Sequence, residues 1–559
     1  MRLVQKCTTY NTSIDYKNVV AARRQRTLLS RTLKMWFLLL LLSSIALVVW
    51  HLNRRRLLFK RLGLPGPEPH WLLGNAQELM QKGGPLQFQE WTKRYGKVYG
   101  HFAGGIPAIV TSDLDMLHDV FVKKFDYFHG RRDFPLAGNP DKEKTVNVFN
   151  ARGLRWKRLR TIGNPTFSVA NLKKLMPTVD EHINDLIEKL DAEAAEGRSF
   201  DIFKLYQDLT LNVVAQISFG VSKDVLSNPE NNYLQLAKKI FGQQKLINNI
   251  FTICSVIIPE FTPFWRACAQ VSATFRDLPG PQLQKAIKQN VQERRATKAT
   301  YNGPVDFIQL WLDAEAEPGW QSNQEQMQVS QDARMEMNRL KIERKLSTDE
   351  IVAQSFAFLV AGFDTTANSL AYVSYLLATN PDKQTKLYEE IVSNIDDMTN
   401  ISYEDLMRLK YLDWVVKEGL RLYPLASIVN SRQAMADTTI GDVSVPAGMF
   451  VVADTWTIHY SREIWGDDAD QFVPERFDPE ENRKPQHPMA WIPFGAGPRQ
   501  CIGMRFALLE EKLALVKIIS KFELRTSQET TIPLKLKGNF AATVSPTDVT
   551  ICVVPRSDY

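Results

Sequence analysis

Phe494-Gly495-Ala496-Gly497-Pro498-Arg499-Gln500-Cys501-Ile502-Gly503 stands directly before an apolar helical pattern that runs from about Met504 to Ser520. Two glycines and a proline crowd the segment ahead of the cysteine, so its backbone is suited to tight turns and close approach. Cys501 falls just before the helix start, where free backbone N–H groups and the helix dipole favour a thiolate. Arg499 adds positive charge two residues away and could also reach an anionic group. An isolated cysteine is usually an inert buried hydrophobe. This one has the setting of a soft metal ligand.

Upstream, Ser347-Thr348-Asp349-Glu350 has the form of a capping box, and an apolar pattern follows it to Asn380-Pro381. That predicts a buried helix of about 32 residues, roughly 48 Å long. At its middle stands Ala361-Gly362-Phe363-Asp364-Thr365-Thr366. A glycine, an acid and two hydroxyls are unfavourable in a core helix. They read equally as a kink with self-bonded hydroxyls or as a reactive site. Glu418 and Arg421 share a helix face and can pair. Pro474-Glu475-Arg476-Phe477 and Trp156-Lys157-Arg158-Leu159-Arg160 complete the notable segments.

Taken in order, these five elements resemble the cytochrome P450 superfamily over about Pro65 to the C-terminus. Phe494, Gly497, Arg499, Cys501 and Gly503 match its haem-binding signature, and Glu418 and Arg421 its Glu-x-x-Arg element. Details near Trp156–Arg160, Pro165–Phe167 and Leu420–Pro424 look most like the animal microsomal clan of drug-metabolising enzymes. The resemblance implies haem b held through the Cys501 thiolate, which pushes electron density onto iron and favours O–O cleavage. It implies that Trp156, Arg160, Arg432, Phe494 and Arg499 bind the cofactor, with Arg131 a weaker candidate, and that Asp364 and Thr365 deliver protons. Ala357, Val360 and Ala361 would wall the space over the iron. Glu418, Arg421 and Arg476 are expected to form a buried ion network without reacting. The reaction implied is insertion of one oxygen atom from O2 into a lipophilic small molecule (a xenobiotic, steroid or fatty acid). Electrons would come from NADPH through a reductase, with cytochrome b5 as an alternative donor. Two rivals are a haem-thiolate isomerase or dehydratase of lipid peroxides, and a non-catalytic haem sensor. The intact acid–hydroxyl pair weighs against both.

The 559 residues carry a net charge of +7, and the excess is concentrated near the start. Residues 1–34 hold eight Lys/Arg against one acid, Asp15. The near balance elsewhere argues against a nucleic-acid partner. Five scattered cysteines without a Cys-x-x-Cys pair support neither a disulfide framework nor a cysteine-rich zinc site.

Residues 35–50, MWFLLLLLSSIALVVW, predict an uncleaved transmembrane anchor over 35–52, favoured over a signal peptide or a mitochondrial presequence. Arg54–Arg56, Lys60 and Arg61 would stay cytosolic, which implies a single-pass endoplasmic reticulum protein with its catalytic body in the cytosol. Residues 1–34 are expected to be an extension that the native chain need not carry. A basic, proline-rich linker is expected at 53–70, and one haem-binding domain at 71–559. Its fold class is mainly α with a small β portion, with strands near Ile106–Thr111, Met449–Asp454 and Thr550–Val554. The polar interval Glu317–Lys345 reads as a solvated connector. Leu246–Trp265 reads either as core or as a membrane-dipping gate. Lys157, Arg158 and Lys512 would belong to a basic docking face.

Overall fold

The computed structural model describes residues 12–131, 136–143, 146–220, 223, 232–242, 250–274, 276, 278–297, 303, 305–314, 345–481, 483, 485–538 and 543–556. The chain divides into two compact units, Met1–Gly63 and Leu64–Tyr559. In the first, helix α1 (Thr12–Arg56) runs without a break through the basic extension and the apolar run. Trp36, Phe37 and Leu40 are exposed along it. Among the described residues no helix is long and apolar enough to cross a membrane. The side chains at positions 45, 48, 51 and 52 lie outside the described ones.

The second unit is mainly helical with a small β portion. It claims the end of the expected linker. Gly100 donates its N–H to the Pro65 carbonyl at 2.9 Å, and a Cβ on Gly66 would strike the Gly100 carbonyl oxygen. Leu64–Pro69 is therefore packed against the folded body, not a free connector. Strands β1 (Val98–Ala103), β2 (Ile106–Thr111), β3 (Ser431–Gln433) and β4 (Phe450–Ala453) form one sheet in the order β1–β2–β4–β3. β2 and β4 run parallel, with Ala108 opposite Phe450; the other pairs are antiparallel. The third expected strand forms as Thr550–Pro555 and pairs with Phe522–Arg525. A hairpin of β5 (Leu536–Gly538) and β6 (Val544–Pro546) precedes it.

Five helices position the site: α2 (Gly153–Gly163), α3 (Ile202–Phe219), α4 (Thr348–Thr379), α5 (Lys410–Leu422) and α6 (Met504–Lys521). The 32-residue α4 starts at the expected capping box: Glu350 donates its N–H to Ser347 Oγ at 3.1 Å, and Glu350 Oε2 accepts from the Ser347 N–H at 3.0 Å. Ile351, Leu359, Leu370 and Leu377 along α4 are fully buried. Each such side chain contributes roughly 1.5–3 kcal/mol through burial. Gly362 is explained by packing rather than by a kink, since α4 is continuous there. A Cβ on Gly362 would stand 2.7 Å from Val214 Cγ2 of α3. Beside it, Thr210 Oγ1 donates to the Phe363 carbonyl at 2.8 Å.

The apolar interval 246–265 begins outside the described residues. From Ile250 it forms the helix Ile250–Ile257 and the start of a second, Thr262–Thr274. Within it Ile250, Phe261 and Phe264 are more than half exposed while Thr252 and Ser255 are buried, so the interval is only partly core. All of the polar interval except Lys345 lies outside the described residues. The expected basic docking face does not form as read. Lys512 is buried and donates to Asp413 at 2.7 Å. Arg158 is bound to both carboxyl oxygens of Glu350, at the cap of α4.

Candidate active site: the Cys501 loop and the central helix

The cysteine loop is shaped by its glycines and closed by its ends. Gly497 sits at φ +69°, and a Cβ there would collide with the Phe121 carbonyl oxygen. Cys501 donates its N–H to the Phe494 carbonyl at 2.9 Å. Phe494 thus anchors the loop through its backbone, with its ring partly buried. Just upstream, Ile492 is held at both backbone groups. Asn430 Nδ2 donates to its carbonyl at 2.8 Å, and its N–H donates to His459 Nε2 at 3.1 Å.

His459 Nδ1 lies 3.0 Å from the Arg421 carbonyl, which can only accept. The proton therefore sits on Nδ1. Burial and the Arg421 charge push this imidazole down to about 3, so it is neutral. It links the loop to a buried ion network of Glu418, Arg421 and Arg476, all fully buried. Arg421 meets Glu418 in a two-pronged pair, both contacts at 2.7 Å, and Arg476 adds 3.2 Å to Glu418 and 2.7 Å to Asp468.

Cys501 has exposed surface, yet it lies deep enough for burial to push its thiol above the ordinary range. A residue both accessible and enclosed lines an interior space. Four influences pull its pKa down: the Gly503 and Met504 amides at the start of α6, and the Arg160 and Arg131 guanidiniums. The helix start alone does not make the thiolate, as the sequence suggested; burial outweighs it. A cation at sulfur would supply the missing stabilisation.

Around this cysteine gather the expected arginines. Arg499 is buried, lies 4.8 Å from the Trp156 ring centroid, and donates to the Phe149 and Ala151 carbonyls. Burial and the charges of Arg131, Arg152 and Arg160 push it down to about 8. Arg432 is fully buried, donates to the Ser431 and Ala496 carbonyls, and is pushed far down by burial, Arg131 and Arg499. Arg131 donates to the Val429 and Arg499 carbonyls at 2.7 and 3.0 Å. It lies in the same cluster, near Cys501 and Arg160. Among the described residues no carboxylate lies within 4 Å of Arg131, Arg432 or Arg499, and Nε of both Arg432 and Arg499 lacks a partner.

The middle of α4 forms a second group. Val360 is 43% exposed although Leu359 beside it is fully buried, so one strip of this core helix faces open space. Thr365 Oγ1 donates back to the Ala361 carbonyl at 2.7 Å. Asp364 is buried, which pushes its carboxyl up, and Thr543 Oγ1 donates to its Oδ2. Among the described residues none of the hydrogen bonds of Asp364 or Thr365 reaches the arginine cluster.

Residues 64–553 match the family described as Cytochrome P450. The chain is 40% identical over 506 residues to a Caenorhabditis elegans protein named "Putative cytochrome P450 CYP13A2", covering 89% of this chain and 94% of that one. It is 39% and 38% identical to the nematode proteins bearing the same name with CYP13A3 and CYP13A4, at the same coverage. The chain belongs to the cytochrome P450 family. It is a P450 monooxygenase, of a family that holds a haem iron through a cysteine thiolate.

The residues present fit that group. A buried cationic cluster without counter-carboxylates suits a cofactor bearing two carboxylates, and the enclosed but accessible thiol suits its iron. His459, Asn430, His129 and Arg152 escaped the sequence reading. His129 accepts from the Gly153 N–H at 3.1 Å and is pushed down to about 4 by burial and the neighbouring arginines. The one available signal was Arg152, four residues before Trp156.

Proposed function

We propose that this P450 oxidises lipophilic small molecules of the xenobiotic, steroid or fatty-acid class, with haem b as cofactor. Electrons come from NADPH through a reductase, with cytochrome b5 as an alternative donor. The observation that carries the site assignment is the Cys501 thiol opening into an interior space beside Arg131, Arg432 and Arg499, which meet no carboxylate among the described residues. Arg131, Arg160, Arg432 and Arg499 would hold the propionates, Trp156 and Phe494 would help bind the cofactor, and Cys501 would ligate the metal. When bound, the haem supplies O2 activation.

The chain's own work is to orient substrate, exclude water and deliver protons. Val360 and Ala361, with Ala357 one turn earlier, present an apolar wall to the substrate. Asp364 takes up a proton and passes it on at its carboxyl, and the Thr365 hydroxyl steers it. The carboxyl is suited to this because burial raises its pKa above that of an ordinary carboxylate. The exposed apolar side chains Ile250, Phe261, Phe264 and Val271 support a gate that meets the bilayer. Residues 35–52 are proposed to anchor the protein in the endoplasmic reticulum membrane, with the catalytic body cytosolic. Their support is the long apolar run itself.

Titration of the haem-loaded protein with a panel of lipophiles tests the substrate class through the shift of the Soret band. Responses to several unrelated lipophiles are expected, and no response to any would sink the proposal. Asp364→Asn is expected to lower product formation by about a hundredfold. Turnover of a lipid hydroperoxide without NADPH would instead favour the isomerase reading.

A further inference from the structure

The β5–β6 hairpin is fastened to the middle of α4. Tyr372 donates its hydroxyl to the Val544 carbonyl at 2.8 Å, and the Val544 N–H donates to the Leu425 carbonyl at 2.8 Å. Both bonds fix the residue next to Thr543. Thr543 itself donates its hydroxyl to Asp364 Oδ2 at 2.5 Å. Among the described residues the other oxygen, Oδ1, accepts no hydrogen bond, and no cation lies within 4 Å of this carboxylate.

Asp364 is only 8% exposed. The groups facing it are Thr543 and Ser545 from the hairpin, Asn368 and Tyr372 from α4, and Gln207 from α3. Of these only Tyr372 titrates, and burial keeps its phenol neutral. The ionised carboxylate therefore has only neutral hydroxyl and amide groups around it, and the one hydrogen bond it accepts among the described residues comes from Thr543. Thr543 is the first of them, and it reaches the helix from a separate element 179 positions along the chain.

We propose that Thr543 is a positioning residue for proton delivery: the C-terminal hairpin grips Asp364 by Oδ2 and leaves Oδ1 to take up and release the proton. The inference rests on Asp364 being the proton-delivering acid. The step is balanced: one proton arrives at Oδ1 and the same proton leaves, while the Thr543 hydroxyl keeps its own. Without that grip the carboxyl rotates freely, and the two electrons drawn from NADPH leave with O2 and two protons as hydrogen peroxide instead of entering product formation.

Thr543→Val removes the hydroxyl at nearly constant shape, and Thr543→Ser restores it. Two quantities are measured on the haem-loaded full chain. One is the protonation midpoint of Asp364, from the carboxyl infrared band that Asp364→Asn abolishes. The other is the share of NADPH electrons recovered in product, with a P450 reductase supplied. In Thr543→Val the midpoint is expected to rise by about one pH unit, a tenfold loss of acidity. The product share should fall several-fold, and Thr543→Ser should return both.

An unchanged midpoint in Thr543→Val, or a moved midpoint with an unchanged product share, overturns the role of Thr543. If Asp364→Asn keeps its rate of product formation, the reading of Asp364 fails and the inference goes with it. Thr543→Ala, which also loses the methyl group, supplies the same comparison should the valine variant not accumulate.

Discussion

Arg421 donates five hydrogen bonds: two to Glu418 and one each to the carbonyls of His459, Ala469 and Gln471. Such a guanidinium is worth little as a net ion pair, because its desolvation offsets the attraction. Its removal is another matter, since Glu418 would stay buried with its charge poorly met. Arg421→Ala is expected to cost about 3–5 kcal/mol in denaturant unfolding. Arg421→Lys should recover part of that loss, because it keeps the charge but not the fork. A cost within about 0.5 kcal/mol, as for an ordinary surface change, would refute the account. The pair itself was legible, since positions three apart on a helix meet. His459 was not: no local pattern ties position 459 to the Arg421 carbonyl and the Ile492 N–H.

Two helices carry the next set of expectations. On α4, Gly362→Val places bulk against Val214 where a Cβ alone is already too close. Overpacking of this kind costs about 1–3 kcal/mol, measurable as a lower denaturation midpoint at unchanged slope. A neutral result would mean that α3 yields easily. On α6, Glu510 and Glu511 are buried, and both carboxyls are pushed up to about 8, Glu510 by burial and by Glu511. Among the described residues neither oxygen of Glu510 has a partner, whereas Glu511 accepts from Ser369 at 2.7 Å. Folded-state pKa values above the unfolded ones mean that the native protein binds more protons between about pH 4.5 and 8. The stability these groups contribute is complete below that window and lost as pH rises through it. Glu510→Gln should therefore lose less melting temperature than the parent between pH 5 and pH 8 in thermal scans. Parallel curves would show that Glu510 does not titrate in the folded protein. Helix α4 was legible from its capping box to its end, because cap and apolar period are local signals. That Gly362 serves close packing depends on α3, roughly 150 positions earlier.

For the whole molecule, the division at Gly63 and Leu64 makes one clear expectation. A chain starting at Leu64 should fold, load haem and give the same thiolate-type ferrous–CO spectrum as the full chain. Under the proposed anchoring it should also leave the membrane fraction more readily. Loss of haem binding on truncation would show that residues 1–63 are part of the catalytic fold.

The amino-acid sequence by itself determined the fold class, the capped central helix, three of the strands and the cysteine loop. Each of these is encoded by short-range periodicity, glycine and proline placement, or a contiguous motif. Tertiary structure decided the rest: the sulfur's enclosed but accessible setting, the gathering of Arg131, Arg160, Arg432 and Arg499 from distant segments, and the grip of Thr543 on Asp364. It also withdrew Lys512 and Arg158 from the surface role their charge suggested. Burial and pairing between distant segments set these properties, and neither leaves a mark on neighbouring residues in the chain.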